Sequence, residues 1–312
     1  MPRLMNKRLI LAKIEATYGA DSVPTIANAV VCGDITLNGI EAEYAKRKIA
    51  RPFLGSAGSV RTFTKSNAKF GVELAGSGAA GTAPAYSHLL RSCGLSETVT
   101  AATKVDYKPI SEAFESVTQY GYEEGLLYKL LGARGGVDLM MSVGDIPVLA
   151  FDYQALYGGT PTLASTPTGT LPNYILPVAV GTAYSSLITI NGATYVWQSC
   201  NIKLGNAVQH SNVVGGEEVL ITDRNVVASV VLKPSAAEEL ALIQLVESGA
   251  DITFAVQHGS VAGNIVSVAN AASGARLTKP QRQELDGQMM LGFEIELNPS
   301  ATGNDDITLT IK

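Results

Sequence analysis

Residues 31–39 read VCGDITLNG, and residues 199–206 read SCNIKLGN. Each stretch alternates apolar and polar side chains and closes on an Asn/Gly pair, which is typical of a strand that ends at a turn. In both halves a variable loop, a second alternating strand, a helix and a further series of strands follow. The sequence therefore predicts two copies of one strand-rich unit. Such a plan is more typical of a building block than of an enzyme, because duplication multiplies surfaces whereas catalysis needs one site.

The first half continues outward from this strand as an antiparallel pattern. Phe70, Val72 and Leu74 alternate with polar residues or glycine, which predicts a strand with one buried face. Pro84 opens a predicted short helix, and Gly94 ends it. Glycine-rich turns, among them 132–136, separate the strands predicted at 116–122, 126–131, 137–143 and 148–153. Short strands joined by such turns indicate a sandwich or barrel.

The second half repeats this programme. Ser235 and Glu238 form a predicted capping box at the start of a helix that runs to about Ser248, with Gly249 as its stop. The alternating segments predict strands at 226–232, 251–257, 264–268, 289–297 and 306–311. The predicted fold class is therefore mainly β, a β-sandwich or barrel with one short helix per repeat.

Composition shifts divide the chain. We expect residues 1–30 to form an irregular N-terminal arm, because residues 20–24 break any early helix. Residues 31–157 form the first predicted unit, with a long loop at 41–67. Residues 158–173 are rich in Thr, Pro, Gly and Ser and predict a linker to the second unit, residues 174–312.

The composition excludes several classes of protein. Among 312 residues, 46% are hydrophobic and only 16% are charged, so much of the surface is expected to be buried against other copies. The net charge of −5 gives no general attraction to nucleic acid. Cys32, Cys93 and Cys200 are an odd, widely spaced set, which predicts free thiols in a reducing compartment. The start of the chain lacks a secretory apolar run, and no segment is long enough to span a membrane, so synthesis in the cytoplasm is expected.

Residues 76–81 spell GSGAAG, the GxGxxG pattern of dinucleotide-binding loops. Three further residues separate the last glycine from the predicted helix, and alternating βα units are absent, so a tight bend is the favoured interpretation and nucleotide binding a remote alternative. His88, His210 and His258 are isolated from one another and from acidic pairs at metal-ligand spacing. Trp197 is interpreted as a core or interface anchor. The sequence thus predicts no catalytic residue, no metal site and no cofactor.

Two loops carry opposite charge. The loop at 41–67 concentrates six basic residues, Lys46, Arg47, Lys48, Arg51, Arg61 and Lys65. The corresponding loop of the second half, 207–224, is shorter and carries Glu217 and Glu218. A solvated loop and a partner-contacting loop are equally compatible with the basic cluster.

Four segments of the first half carry a family resemblance, residues 51–56 (RPFLGS), 70–78 (FGVELAGSG), 84–94 and 131–135 (LGARG). Through them the first half resembles the major tail tube proteins of long, non-contractile bacteriophage tails. The second half is similar to the same fold again, at residues 201–206, 221–224 (ITDR) and 287–299. The match covers nearly the whole chain and rests on the order of elements rather than on one specific motif.

This resemblance implies two packed antiparallel sheets flanked by a helix, and rings that stack into a hollow tube in the virion tail. Because this chain carries two predicted copies of the fold, we expect three chains to form a pseudo-six-fold ring. The resemblance further implies tape measure, terminator and distal tail proteins as partners, and DNA that passes through the lumen without specific binding. A tail terminator or a baseplate ring of the same fold is the main alternative.

The resemblance also gives the loops and one strand a place in the tube. The loop at 41–67 resembles the long loop that touches the next ring in this family, so its basic residues are expected to meet acidic groups there. A lumen that passes DNA is expected to be acidic or neutral. Glu294 and Glu296 lie on the polar side of a predicted strand and are speculative lumen-facing residues.

Overall fold

The computed structural model describes residues 7–172, 174–184, 186–270 and 274–312. Residues 1–6 of the predicted arm and residue 173 of the predicted linker lie outside the described residues. The first part of the chain forms β1 (Arg8–Ile14), β2 (Ala29–Val30), β3 (Gly33–Lys46), β4 (Ser59–Glu73), α1 (Ser87–Ser92), β5 (Leu95–Thr100), β6 (Lys104–Pro109), β7 (Val117–Glu123), β8 (Leu126–Ser142) and β9 (Val148–Tyr157).

The rest of the chain is also mainly strands. After β10 (Thr162–Leu163), it forms β11 (Leu187–Ile190), β12 (Ala193–Tyr195), β13 (Trp197–Lys203), β14 (Asn206–Val213), β15 (Gly216–Arg224), β16 (Val227–Leu232), α2 (Ala236–Ser248), β17 (Phe254–His258), β18 (Val266–Ala269), β19 (Ala275–Leu285), β20 (Gln288–Leu297) and β21 (Thr308–Ile311). The predicted mainly β fold class is confirmed.

The predicted alternation places strand residues on two faces. In β4, Phe70 and Val72 are buried while Lys69 and Glu73 are exposed. The rings of Phe70, Phe151 and Tyr153 pack together, with centroids 5.7–6.0 Å apart. One hydrophobic core continues from these residues to Cys200, Phe293 and Val268, so residues 31–157 and 174–312 share a core.

Eight strands form one continuous path, β3-β4-β9-β8-β13-β16-β20-β19. The path consists of two groups of four strands, β3-β4-β9-β8 and β13-β16-β20-β19. In each group, the last two strands along the sheet are in the reverse of their order in the chain. The two groups join where Asp138–Ser142 of β8 pairs antiparallel with Ser199–Lys203 of β13. A second sheet also joins the two halves of the chain, because β6 of the first half pairs with β21 of the second.

The N-terminal segment differs from the irregular arm that the sequence predicts. Arg8–Ile14 pairs along its whole length with β7, from Arg8 opposite Glu123 to Ile14 opposite Val117. Ile10, Leu11 and Ala12 are buried. The helix break at residues 20–24 lies after this strand and gives no information about it. The short apolar run of β1 is covered because it pairs with β7, which is distant in the chain.

The glycine-rich segment 132–136 is also not the turn that its composition predicts. It lies inside the 17-residue strand β8, where Gly132 has φ 57° and the pairing with β9 shifts between Leu131 and Arg134. A side chain at Gly135 would begin 2.5 Å from the backbone oxygen of Asp152. The glycines therefore permit a bulge and a close approach of backbones within one strand.

The helix signals are confirmed in part. The amide of Glu238 donates to the Ser235 hydroxyl, the amide of Ser235 donates to the Glu238 carboxylate, and Gly249 is left-handed with φ 60°. Helix α1 begins at Ser87, three residues after Pro84, and spans only six residues.

Candidate assembly surfaces

The eight-stranded path has a polar face opposite the core, and we call it the polar face. Lys69 and Asp152 form an ion pair on it at 2.6 Å, and Glu294 pairs with Lys279. Glu294 and Glu296 alternate with the buried residues Phe293, Ile295 and Leu297, so both carboxylates lie on this face. Within the described residues, Glu296 makes no ion pair.

The polar face is concave over the first group of strands. A concavity of about 1080 Å³ is lined there by Lys69, Gly136, Asp138, Met140, Asp152 and Gln154, among others. Burial raises the pKa of the Asp138 carboxyl, and the positive charge of Lys203 across the β8–β13 junction opposes that shift. Acidic and basic groups thus alternate along this wall rather than forming one basic patch.

The eight-stranded path ends in two strand edges. Among the described residues, β3 at one end pairs only with β4, and β19 at the other end pairs with β20, apart from one bridge between Ala275 and Ile252. Both strands carry an irregularity at which a non-glycine residue has positive φ, Asp34 in β3 and Lys279 in β19. Pro280 follows Lys279 and has no amide hydrogen to donate. These edges offer unpaired backbone groups to a further strand.

The predicted basic loop is a long β-hairpin, which we call the first hairpin (β3–β4). Its pairing runs from Gly33 opposite Gly71 to Lys46 opposite Ser59. The tip exposes both charge and apolar groups, because Leu54 is fully exposed and Phe53 is 65% exposed.

The six basic residues are distributed unequally along the first hairpin. Lys46, Arg47, Lys48 and Arg61 are exposed and make no ion pair within the described residues. Arg51 donates to the backbone oxygen of Ser56 and lies over the Phe53 ring. Lys65 lies at the base, 3.8 Å from the Glu41 carboxylate and opposite Leu156 of β9.

The second hairpin, β14–β15, does not extend away from the protein in the same manner. It is a separate two-stranded sheet that contacts β8 and β9. His210 stacks on Phe63 of the first hairpin and hydrogen-bonds Glu217 at 2.9 Å, whereas Glu218 is exposed. The predicted acidic pair is therefore split between one bonded and one free carboxylate within the described residues.

Arg134 anchors the second hairpin where β7 and β13 diverge along β8. Its guanidinium donates to the backbone oxygens of Phe114, Glu115 and Val219, and it lies 4.7 Å from the centre of the Tyr18 ring. The Tyr18 hydroxyl accepts from the amide of Val219, and Asn206 donates to the oxygens of Cys93 and Gly135. The sequence around Arg134 carries no local signal for this role, because its partner Val219 lies 85 residues further along the chain.

The glycines at 76–81 have packing roles. The amide of Gly78 donates to the oxygen of Gly263, and a side chain at Gly76 would begin 1.9 Å from that same oxygen. A side chain at Gly81 would begin 2.3 Å from the amide nitrogen of Ala102. Because the loop is filled by backbone from other segments and α1 begins six residues later, it lacks the geometry of a phosphate-binding turn.

Metal ligands, reactive thiols and membrane-spanning helices are three further features relevant to the described part of the chain. In these ranges no group of three or more His, Cys, Asp or Glu side chains is placed to hold a metal ion. Cys32, Cys93 and Cys200 are free, and burial raises the pKa of each thiol to about 12. No helix among the described residues is long and apolar enough to cross a membrane.

A mainly β chain with a long shared sheet, one projecting hairpin and two strand edges that have no partner strand among the described residues belongs to the class of structural assembly proteins. The family can be stated more closely. The family model described as phage tail tube protein matches residues 5–312, so this chain belongs to the phage tail tube protein family and is a structural component of a bacteriophage tail. A search of curated proteins found no match.

Proposed function

We propose that this chain polymerises as stacked rings of three chains, and that these rings form the tail tube through which phage DNA reaches the host cell. In this proposal the chain carries two tandem tube folds, residues 31–157 and 174–312, and the tail is of the long, non-contractile type. The tube is assembled in the host cytoplasm together with tape measure, terminator and distal tail proteins.

The observation that carries the proposal is the eight-stranded path. Each half contributes four strands in the same order, and the halves already join edge to edge at β8 and β13. Three chains of eight strands supply 3 × 8 = 24 strands to a closed barrel. Closure removes the exposed edges, which explains why a sheet this long ends in unpaired strands.

The polar face fits the wall of a DNA channel. Its basic groups Lys69 and Lys279 are neutralised by Asp152 and Glu294. Two further basic groups, Lys203 and Arg276, lie opposite the acidic groups Asp138 and Glu296. A wall of this composition neutralises few phosphates, so it does not retain DNA through counterion release. We therefore propose that Glu294 and Glu296 face the lumen.

The hairpin tips fit contacts between rings. Lys46, Arg47, Lys48 and Arg61 are exposed and make no ion pair within the described residues, and Glu218 is exposed on the second hairpin. Opposite charges on facing rings fix register and orientation. We propose that these residues, with Arg51, Lys65 and Glu217 nearby, contribute to the ring-to-ring contact.

Negative-stain electron microscopy of the purified protein tests this function. Long hollow tubes with three-fold rings are the expected result. Closed single rings that do not stack contradict tube formation and indicate a terminator or baseplate ring. A wild-type chain that stays monomeric at all concentrations overturns the assembly role altogether.

A further inference from the structure

We propose that β19 of one chain pairs antiparallel with β3 of a second copy, in the register that β8 and β13 use within the chain. The inference rests on the ring proposed above and adds the residues that meet. Thr278 is placed opposite Thr36, and Gln281 opposite Gly33.

The β3 side of this register follows from the neighbouring strands. On β13, Asn201 lies opposite Ser229 and Lys203 opposite Val227. On β3, Gly33 lies opposite Gly71 and Thr36 opposite Lys69. Aligning 31–39 with 199–206 therefore makes Gly33 equivalent to Asn201 and Thr36 to Lys203, with one extra residue in β3 at its irregularity.

The β19 side follows in the same way. Asp138 and Met140 of β8 lie opposite Ala150 and Val148 of β9. Thr278 and Gln281 of β19 lie opposite Glu294 and Gly292 of β20. The pairing of β9 with β4 and of β20 with β16 makes Ala150 equivalent to Glu294 and Val148 to Gly292. Thr278 is thus equivalent to Asp138, and Gln281 to Met140, with one extra residue in β19.

The two extra residues fall on the same rung. Within the chain, Asp138 pairs with Lys203 and Met140 with Asn201, and Leu139 and Ile202 lie between these pairs. The equivalent rung between chains contains Lys279 with Pro280 on one edge and Asp34 with Ile35 on the other. Because both strands gain one residue there, the register on either side is preserved.

Charge and exposure at this rung fit a second copy. Lys279 and Asp34 both have φ near 50°, carry opposite charges and would lie on facing edges. Residues 281–285 of β19 are all exposed and pair on one side, with β20, whereas the equivalent β8 segment pairs on both sides, with β9 and with β13. The β19 edge therefore lacks the neighbour that its equivalent has.

Paired cysteines test the register. Directly opposite residues of an antiparallel pair have a Cα separation within disulfide range. We would make Thr36→Cys with Thr278→Cys in a Cys32→Ser background, which removes a half-buried thiol of the same edge. Asp138→Cys with Lys203→Cys is the positive control, because it should cross-link within a single chain. Asn38→Cys with Thr278→Cys is shifted by two residues and is the matched negative control.

The expected result is that oxidised tubes of the Thr36/Thr278 variant give covalently linked trimers, whereas either single variant gives none. Mixing chains that carry only one cysteine each should give linked dimers and nothing larger. Thermal unfolding checks that each variant folds like the wild type.

Two different failures are distinguishable. One failure is that tubes form and the positive control cross-links, but the Thr36/Thr278 pair does not, or the shifted pair cross-links instead. This result overturns the register and leaves the tube function intact. Absence of rings and tubes from the wild-type protein overturns the proposed function itself.

Discussion

The first and second hairpins occupy equivalent places in the chain but have different conformations. The first hairpin is continuous over strands of 14 and 15 residues. The second is interrupted at Gly205 and Asn225, so that β13 and β16 stay in the large sheet while β14 and β15 bend onto β8 and β9. The bent hairpin packs on β8 and β9 of the same chain. The straight one is paired with β9 only at its base, and its tip at residues 47–58 is almost entirely exposed. A hairpin of this kind takes its direction from what it contacts.

The largest expected effect comes from shortening the first hairpin. Replacing residues 47–58 by an Asn-Gly turn keeps the Lys46–Ser59 pair and removes the exposed tip. We expect a stably folded protein, because the tip buries little in its own chain. We expect no tubes, because the proposed contact between stacked rings is removed. The free energy of unfolding should change by less than about 1 kcal/mol. Electron microscopy should show the loss of tubes.

A full-length variant with Lys46, Arg47 and Lys48 changed to Gln separates charge from contact. If charge carries the ring contact, this variant also fails to form tubes at low salt. Normal tubes from the shortened hairpin would show that the tip is only a solvated extension.

The second hairpin should lose its position when Arg134 is removed. Arg134→Ala leaves the backbone oxygens of Phe114 and Val219 without their donor. We expect a loss of about 3 kcal/mol in unfolding free energy, since charged hydrogen bonds to partly buried groups are lost together. Urea denaturation measures this loss. The matched control, Arg61→Ala, removes an exposed arginine and should leave stability within about 0.5 kcal/mol.

A smaller effect is expected from a substitution at Gly205, where the second hairpin bends. Gly205 has φ 65°, and a side chain there would begin 2.0 Å from the backbone oxygen of Asn225. Gly205→Ala should cost about 2 kcal/mol, because it combines left-handed strain with a backbone clash. Gly216→Ala at the same hairpin's tip meets only a side-chain atom at 3.8 Å and should be nearly neutral. Equal melting temperatures of the two variants would contradict this account of the bend.

The smallest effect concerns the helices, which differ between the halves as the hairpins do. Helix α1 is short and largely buried, and burial lowers the pKa of its His88 to about 4, with Arg91 adding repulsion. Because the unfolded histidine takes up a proton near pH 6.5 and the folded one does not, stability falls as the pH drops below that value. The longer helix α2 contains no histidine.

His88→Gln should therefore flatten the acid side of the stability curve. Between pH 7 and pH 5.5 the wild type should lose about 1.2 kcal/mol more than the variant. Parallel urea titrations at the two pH values measure the difference. Identical losses in both proteins would show that His88 is protonated without cost in the folded state.

The sequence predicted those elements whose signals are local. Alternation in β4 and β20, the Ser235–Glu238 capping box and the Gly249 stop depend on residues close in the chain, and each is present in the structure. The polar position of Glu294 and Glu296 follows from the same period of two.

The remaining features depend on distant partners. Strand β1 forms because β7 covers it, and β8 passes through 132–136 because β9 tolerates a bulge there. The junction of β8 with β13 and the anchoring of Val219 by Arg134 connect segments some 60 to 85 residues apart. Composition and spacing carry no signal for such pairings, which are decided by tertiary contact.

In the proposed ring of three chains, the β8–β13 junction lowers the entropic cost of assembly. When six separate units close into one ring, five of them lose their independent translational and rotational freedom. When three linked chains do so, only two lose it. The connection between the units also holds β13 near β8 at an effective concentration that free subunits do not reach. Half of the lateral contacts in such a ring are therefore completed as each chain folds, and tube growth depends on closing only the other half.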